Sequence, residues 1–502
     1  MGRMALPVKY FRHFRGLRWL REQYRTRIDG VDIRVMAREI LRSGATREDD
    51  IFDCAGYLRD HGFRPEAKLF FYNHHEAHAL PALFHSEWDK ALLVTADGSG
   101  DGTNYSYRYV DGSRIQTLYG GDECLYQIPP HNSVGRAYGD MTEELGFRRN
   151  RHEGKLTGLA AYGSPTVSDA IMAHYRVDAA GVVHGDFHKT SDVRDLAAGA
   201  RREDLAASIQ KALEDIMLTV MTRLLAHYPV QHLGVSGGVF ANVRLNRLLA
   251  EKSGLQQIFV VPPMGDEGLS FGGPLCFLLQ RDGLAAWLSQ RRPLANVFWG
   301  RDFGREADRI LLATRGVAGT DEPPVAGAAR RLQVGQIGAI YRGRMEFGPR
   351  ALGARTILAN PAGRATHDEL NRRLERSEFM PFAPVVRAER AAEVFEISRL
   401  NAYAARFMTI ACAVRPQWRE RIPAVVHIDG TARPQIVERA DNPLYYDILE
   451  EFERLTGLPA LVNTSFNVHE EPIVNRPEEC AQALQDGRID FVVTEHALYA
   501  RA

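Results

Sequence analysis

The sequence predicts two α/β units in series, and three observations carry that expectation. Strand-like and helix-like patterns alternate through both halves, and three first-half strands run straight into glycine turns. Between about Asp282 and Pro324 the periodicity weakens while Arg, Gly and Pro accumulate, which sets a boundary near residue 310. The chain's 502 residues leave room for more than one sizeable core.

In the first unit, Lys90 to Asp97 (KALLVTAD) reads as a buried strand entering a glycine turn, and Tyr105 to Val110 with Arg114 to Leu118 reads as a hairpin across Asp111-Gly112. Leu205 to Ala226 has helical spacing of Leu, Ile, Met and Val. A strand at Gln231 to Val235, a Ser-Gly-Gly turn and a helix from about Val239 to Lys252 follow. Next come a strand at Gln257 to Val261, the loop PPMGDEG and a helix from about Leu269 to Gln280. In the second unit the pattern predicts helices at Val325 to Leu332, Thr366 to Leu374, Asn442 to Leu455 and Pro477 to Leu484. Strands are expected at Gln336 to Tyr341, Pro459 to Asn463 and Asp490 to Val493.

Composition removes whole classes of function. Lys+Arg and Asp+Glu both total 63, so the net charge is zero and neither nucleic acid nor an anionic membrane is an expected partner. No apolar stretch approaches the roughly 18 residues of a membrane span, and the basic start MGRMALPVKYFRHFRGLRWLREQYR lacks an apolar signal core, so a cytoplasmic protein is expected. Cys54, Cys124, Cys276, Cys412 and Cys480 are an odd, scattered set without a CxxC pair, which reads as reduced thiols. Only seven basic residues are lysine, the last being Lys252. Any anion site beyond it must use arginine and backbone N–H groups.

The sharpest motif is Asn73-His74-His75-Glu76-Ala77-His78-Ala79. On a helix His74 and His78 share a face four residues apart, a spacing that suits one metal ion but also two histidines that simply cap or line a helix. Asp97 in DGSGDG and Asp266 in GDEG both follow strands, where α/β proteins place ligands, and two imidazoles with two carboxylates suit Fe(II), Mn(II) or Zn(II). The carboxylates alone suit Mg(II) held through a nucleotide. Gly98, Gly100 and Gly102, then Gly237 and Gly238, then Gly265 and Gly268 lie at three strand ends, where backbone N–H groups can meet phosphate. Neither GxxxxGK[ST] nor a strand-turn-helix GxGxxG occurs. In the second half Arg342, Arg344, Arg350 and Arg355 crowd one Gly- and Pro-rich stretch, as planar forks for phosphate or carboxylate would. The stretches at 376–384, 427–435 and 463–467 add polar groups and read as loops.

Taken in order, HHEAHA, DGSGDG, EGKLTGLAAYG, SGGVFANVRLN, GDEG, GRMEFGPRALGAR, RSEFMPFAP, HIDGTARPQ and VNTSFN resemble the motifs of the O-carbamoyltransferase family, from about residue 65 to the end. That group includes the nodulation-factor, cephem and aminoglycoside carbamoyltransferases. The resemblance implies an actin-like ATPase (ASKHA) domain at 1–310, similar to the tRNA threonylcarbamoyl transferase. It implies a YrdC-like α/β domain at 311–502, similar to threonylcarbamoyl-AMP synthase. Members begin with a glycine-rich hairpin carrying an HDSAA-like stretch, then an EER-rich segment; neither occurs in this chain, so the first domain is expected to lack its first hairpin.

The implied chemistry has two steps. Carbamoyl phosphate loses phosphate and its carbamoyl unit joins the α-phosphate of ATP, releasing pyrophosphate; a hydroxyl of a small metabolite or glycan then takes the carbamoyl group from carbamoyl-AMP. By resemblance His74, His78, Asp97 and Asp266 hold a divalent metal, Fe2+ foremost with Mg2+ or Mn2+ as other choices, and His74, His78, Arg350 and Arg355 are the catalytic set. Gly98, Lys155, Gly237, Gly238 and Asn242 meet nucleotide in the first domain. Arg344, Arg350, Arg355 and Arg376 neutralise the phosphates in the second, and Asn463, Ser465 and Asn467 hydrogen-bond the carbamoyl group. Acceptor recognition is expected in loops such as Tyr119 to Gly139 and before Pro65, and a homodimer is the symmetric default. Two other readings stay open: threonylcarbamoyl transfer to tRNA, against which the zero net charge argues, and a truncated non-catalytic nucleotide-binding homologue.

Overall fold

The computed structural model of the chain describes residues 54–121, 124, 133–187, 192–375 and 381–502. The first half is built on a five-stranded sheet of β1 (Lys90–Gly100), β2 (Thr103–Asp111), β3 (Arg114–Tyr119), β4 (His232–Ser236) and β5 (Gln257–Val260) in the order β3-β2-β1-β4-β5. The first three form an antiparallel meander turning at Asp111-Gly112, while β4 and β5 join β1 in parallel. Because β1, β4 and β5 run the same way, their carboxyl ends open at one edge, where ligands bind in such sheets.

Two helices cover one face of this sheet, α1 (His74–Phe84) and α2 (Leu269–Leu288). On the other lies the 26-residue α3 (Arg202–His227), whose buried stripe runs from Leu205 through Ile209, Leu213 and Met217 to Leu224. Asn73 caps α1 by accepting from the Glu76 N–H at 3.0 Å. Pro81 within α1 has no N–H to offer the Ala77 carbonyl, and Gly272 of α2 packs against that carbonyl so tightly that a Cβ there would sit 1.7 Å from its oxygen. The expected helix from Leu269 continues beyond Gln280 to Leu288, with Gly283 at φ 76° marking a kink. The expected helix from Val239 begins instead at Val243, after a tight turn at 238–241, as α4 (Val243–Lys252).

The second half holds an eight-stranded mixed sheet. Its strands are β6 (Val317–Gly319), β7 (Gly338–Tyr341), β8 (Arg355–Ala359), β9 (Ala383–Arg387), β10 (Gln435–Val437), β11 (Ala460–Ser465), β12 (Phe491–Val493) and β13 (Leu498–Arg501), ordered β10-β9-β11-β8-β7-β12-β13-β6. Helices at Pro324–Gln333 and Pro443–Thr456 pack together beside it. Strands β8 and β9 were not among the expected strands; β9 starts inside the stretch 376–384 and β11 runs into 463–467, both of which read as loops, and Asn463 and Ser465 are strand residues paired with Leu358 and Thr356. Glycine, proline and asparagine there hid fully buried strands from a pattern search. The mixed α/β class expected from the sequence holds, with one large sheet in each half.

The halves meet through backbone and ring contacts. Ile258 N–H donates to the Leu400 carbonyl at 3.0 Å and Ala411 N–H to the Val243 carbonyl at 3.1 Å, while Tyr403 stacks on Phe259 with centroids 4.2 Å apart. No helix among the described residues is long and apolar enough to cross a membrane.

Candidate functional site

Four side chains predicted from separate segments converge at the open edge of the first sheet. One donor atom each from His74, His78, Asp97 and Asp266 lies within 4.8 Å of all the others. His74 and His78 sit one turn apart on α1, and the β1–β2 register slips between Ala96 and Gly100, a bulge that re-aims Asp97 toward them. His78 Nε2 is 3.1 Å from Asp97 Oδ2 and 3.5 Å from Asp266 Oδ1; for His74 Nε2 the distances are 3.5 and 3.7 Å. The Nε2 atoms of both histidines and Oδ2 of Asp97 are buried without a hydrogen-bond partner. Three orphaned atoms aimed at one point, two nitrogens and a carboxylate oxygen with a second carboxylate beside them, fit a divalent cation of the kind the sequence suggests.

Electrostatics agrees with that fit. Burial works against the charged form of His78, yet the facing carboxylates of Asp266 and Asp97 outweigh it and raise the imidazole to about 9. Burial likewise works against ionised Asp97, and His74 and His78 pull it well below the usual carboxylate range. Ser236 Oγ lies 3.4 Å from both the Met264 carbonyl and His78 Nδ1; donating to the carbonyl, it accepts from Nδ1–H and so presents Nε2 as the ligating nitrogen. The neighbouring His75 is spoken for by Thr95 Oγ1 at 2.8 Å and the Thr103 carbonyl at 3.3 Å; burial pushes it down to about 3, so it is a neutral structural residue.

The predicted glycines border this cluster. Gly98 N–H donates to Asp97 Oδ1 at 2.6 Å, and Asp97 Oδ1 lies 3.2 Å from where a Cβ on Gly238 would be. Gly237, at φ 100°, passes so close to β1 that a Cβ would lie 2.3 Å from the Ala96 carbonyl oxygen. Asn242 departs from its expected role: its Oδ1 caps α4 by accepting from Leu245 N–H at 3.0 Å and its Nδ2 donates to Gln210 Oε1 at 2.8 Å, so the helix start consumes the side chain.

A cavity of about 600 Å³ opens between the halves, walled by residues 151–161 and 241–244 on one side and 349–351, 381–383, 425–433 and 463–471 on the other. Lys155, Arg350, Asn463, Ser465 and Asn467 all line it. Arg350 and Arg433 face each other there without an ion-pair partner among the described residues, and the Nε of each is buried and unbonded. Burial lowers Arg350, with Glu267 drawing it back up, and burial with the like charge of Arg350 pushes Arg433 well below the ordinary guanidinium value. A guanidinium keeps its proton regardless, so each is a cation held away from water, a setting that an anion would suit. The influence of Glu267 on Arg350 also ties the cavity to the loop bearing Asp266.

Two predicted arginines are not in the cavity wall. Arg344 is exposed, in a short strand (Arg344–Glu346) paired with Phe298–Asp302. Arg355 is fully buried; its guanidinium donates to the carbonyls of Arg342 at 2.6 Å, Ala354 at 2.9 Å and Gly343 at 3.2 Å and stacks over Tyr341, so it pins the loop that carries Arg350. Arg376 lies outside the described residues, as do 122–123 and 125–132 of the expected acceptor loop and all residues before 54. Arg433 was missed: HIDGTARPQ stood out as polar, but only the fold shows that its arginine enters a strand edge opposite Arg350.

His152, His469 and Glu470 form a second close cluster at the cavity rim. His152 Nδ1 accepts the Arg148 N–H at 3.1 Å, so its Nε2 carries the proton and faces Glu470 Oε1 at 3.4 Å as a donor. Arg148 also pairs with Glu470. The cluster is an ionic clasp between the halves.

The family model described as carbamoyltransferase N-terminus matches residues 54–275, and the one described as carbamoyltransferase C-terminus matches 329–501. Protein MJ1058 of Methanocaldococcus jannaschii is 33% identical over 471 residues, covering 88% of this chain and 74% of that one. Nodulation protein NolO of Bradyrhizobium diazoefficiens is 32% identical over 438 residues, covering 84% and 76%. Among solved structures, full-length HypF in its phosphate- and nucleotide-bound form is 21% identical with a TM-score of 0.26; the match covers 37% of this chain and 22% of that one.

Proposed function

The chain belongs to the carbamoyltransferase family and is an enzyme of that class, and from that premise we propose that it is a cytoplasmic, ATP-dependent O-carbamoyltransferase. In this reading residues 311–502 are a YrdC-like domain that makes carbamoyl-AMP from carbamoyl phosphate and ATP, releasing phosphate and pyrophosphate. Residues 1–310 are an actin-like domain that passes the carbamoyl unit to a hydroxyl of a small metabolite or glycan. The observation that carries it is the cavity walled by both halves, with Arg350 and Arg433 inside it and without an ion-pair partner among the described residues.

The residues account for each requirement. Two guanidinium groups without a counter-anion supply the charge that a phosphate or triphosphate needs. Lys155, from the first half, adds an ammonium on the opposite wall. His74, His78, Asp97 and Asp266 would hold the divalent ion, which supplies a Lewis acid for the nucleotide phosphate. Asp97 and Asp266 anchor the two imidazoles in a fixed orientation, so the ligand set needs little rearrangement on loading.

The test is direct. Purified protein incubated with ATP and carbamoyl phosphate should yield pyrophosphate, and mass spectrometry should find carbamoyl-AMP. No product with iron, manganese or magnesium present would refute the proposal.

A further inference from the structure

Four buried polar atoms of residues in the shared cavity's wall have no hydrogen-bond partner among the described residues: Nε of Arg350, Nε of Arg433, Nε2 of His427 and Oδ1 of Asn463. The first two are donors on cations and suit an anion. Oδ1 of Asn463 is an acceptor fixed by the surrounding hydrogen bonds, and Nε2 of His427 is an acceptor in the neutral ring. Gln435 Nε2 donates to the Leu352 carbonyl at 2.8 Å, so its Oε1 accepts from Asn463 Nδ2 at 2.7 Å; Asn463 Nδ2 also reaches the Ala351 carbonyl at 3.0 Å. The amide of Asn463 is thereby oriented, with Oδ1 left over.

His427 is fixed by different means. Asp429 Oδ1 accepts the Thr431 N–H at 3.0 Å and its hydroxyl at 2.7 Å, and lies 3.2 Å from His427 Nδ1. Burial raises the Asp429 carboxyl, but these hydrogen bonds hold it well below the usual carboxylate range. An ionised carboxylate can only accept, so Nδ1 carries a proton, and in the neutral ring Nε2 is then the nitrogen with the lone pair. Leaving such an acceptor buried and unpaired is costly in the free protein, and a ligand with matching donors removes that cost.

Resting on the function proposed above, we infer that His427, oriented by Asp429 and joined by Asn463, accepts hydrogen bonds from the amino group of the carbamoyl donor and selects it against acyl phosphates that lack one. Carbamoyl phosphate joins an anionic phosphate to an NH2 with two N–H donors, the complement of two cations and two acceptors. Acetyl phosphate presents the same phosphate with a methyl group in place of NH2. It would leave both acceptors buried and unpaired, the arrangement by which sites reject near-isosteres most strongly.

Calorimetric titration of the full chain with carbamoyl phosphate and separately with acetyl phosphate tests the inference. Wild type should bind carbamoyl phosphate at least about tenfold more tightly. Asp429→Ala removes the oxygen that holds the proton on Nδ1 and lets the ring turn or change tautomer. It and His427→Phe should each weaken carbamoyl phosphate about tenfold while acetyl phosphate changes less than about twofold. Equal weakening of both ligands, or no preference in wild type, overturns the inference. So does a loss confined to ATP and absent with a purine triphosphate lacking the 6-amino group, because the acceptors would then read adenine. Selective binding without pyrophosphate release would refute the proposed reaction and leave this recognition standing; pyrophosphate release without selectivity would do the reverse.

Discussion

His78 Nε2 lies 3.1 Å from Asp97 Oδ2, and the His78 side chain is fully closed to solvent. A ring nitrogen and a carboxylate oxygen held this close repel each other unless a proton or a metal ion lies between them. The elevated imidazolium of His78 and the depressed carboxyl of Asp97 are two faces of that demand.

A pH prediction follows with a definite sign. His78 stands at about 9 in the folded chain, against about 6.5 when unfolded. The raised value gives stability that is full below about 6.5 and is lost as pH climbs through about 9. Chelator-treated protein should therefore lose several degrees of Tm between pH 6.5 and 9.5, and His78→Ala should be flat across that window. A divalent metal competes with the same proton, so its affinity should rise over this range and its addition should restore Tm above pH 9. Scanning calorimetry with and without Mn(II) reads both effects.

Gly272 is the packing position on which the histidine helix depends. A Cβ there would lie 1.7 Å from the Ala77 carbonyl oxygen, backbone that cannot yield without moving α1. Gly272→Ala should destabilise the chain by roughly 2 kcal/mol or more and weaken metal binding, because His74 and His78 flank Ala77. Gly199→Ala, where a Cβ meets nothing within 4 Å, should do neither. Thermal denaturation and metal titration of the two variants make the comparison.

How much of the site was legible in the sequence depended on how local each signal was. The metal-type cluster was readable because its parts are local: an i, i+4 histidine pair and two aspartates directly after strands. Arg355 was misread because four arginines in one stretch look equivalent in sequence, while only folding shows one fork spent on three carbonyls and another facing Arg433. Asn242 was misread for a related reason, since an asparagine after a glycine turn serves a helix cap as well as a phosphate. Strands β8 and β9 escaped notice because Gly- and Pro-rich flanks masked short, wholly buried runs.

Arg355 and Arg350 should fail differently when truncated. Arg355→Ala strands three carbonyls and empties a fully buried site, so a loss of about 3 kcal/mol in unfolding free energy is expected. Arg350→Ala removes a cation with no partner to strand, so Tm should hold or rise slightly. Denaturant titration distinguishes them, and a larger stability loss at Arg350 would contradict this division of roles.

The last prediction separates the two half-reactions. If Arg350 and Arg433 serve carbamoyl-AMP formation while the His74–His78–Asp97–Asp266 cluster serves transfer, each site should be breakable alone. His74→Ala should keep pyrophosphate release within about threefold of wild type while acceptor carbamoylation falls by a factor of about 100 or more, on the order of 3 kcal/mol in transition-state free energy. Arg350→Ala should suppress pyrophosphate release itself, and with it every later step. Supplying synthetic carbamoyl-AMP should then restore carbamoylation to the Arg350 variant and leave the His74 variant silent, because only the first lacks the intermediate. Equal loss of both activities in both variants would mean that the cavity and the cluster act as one centre.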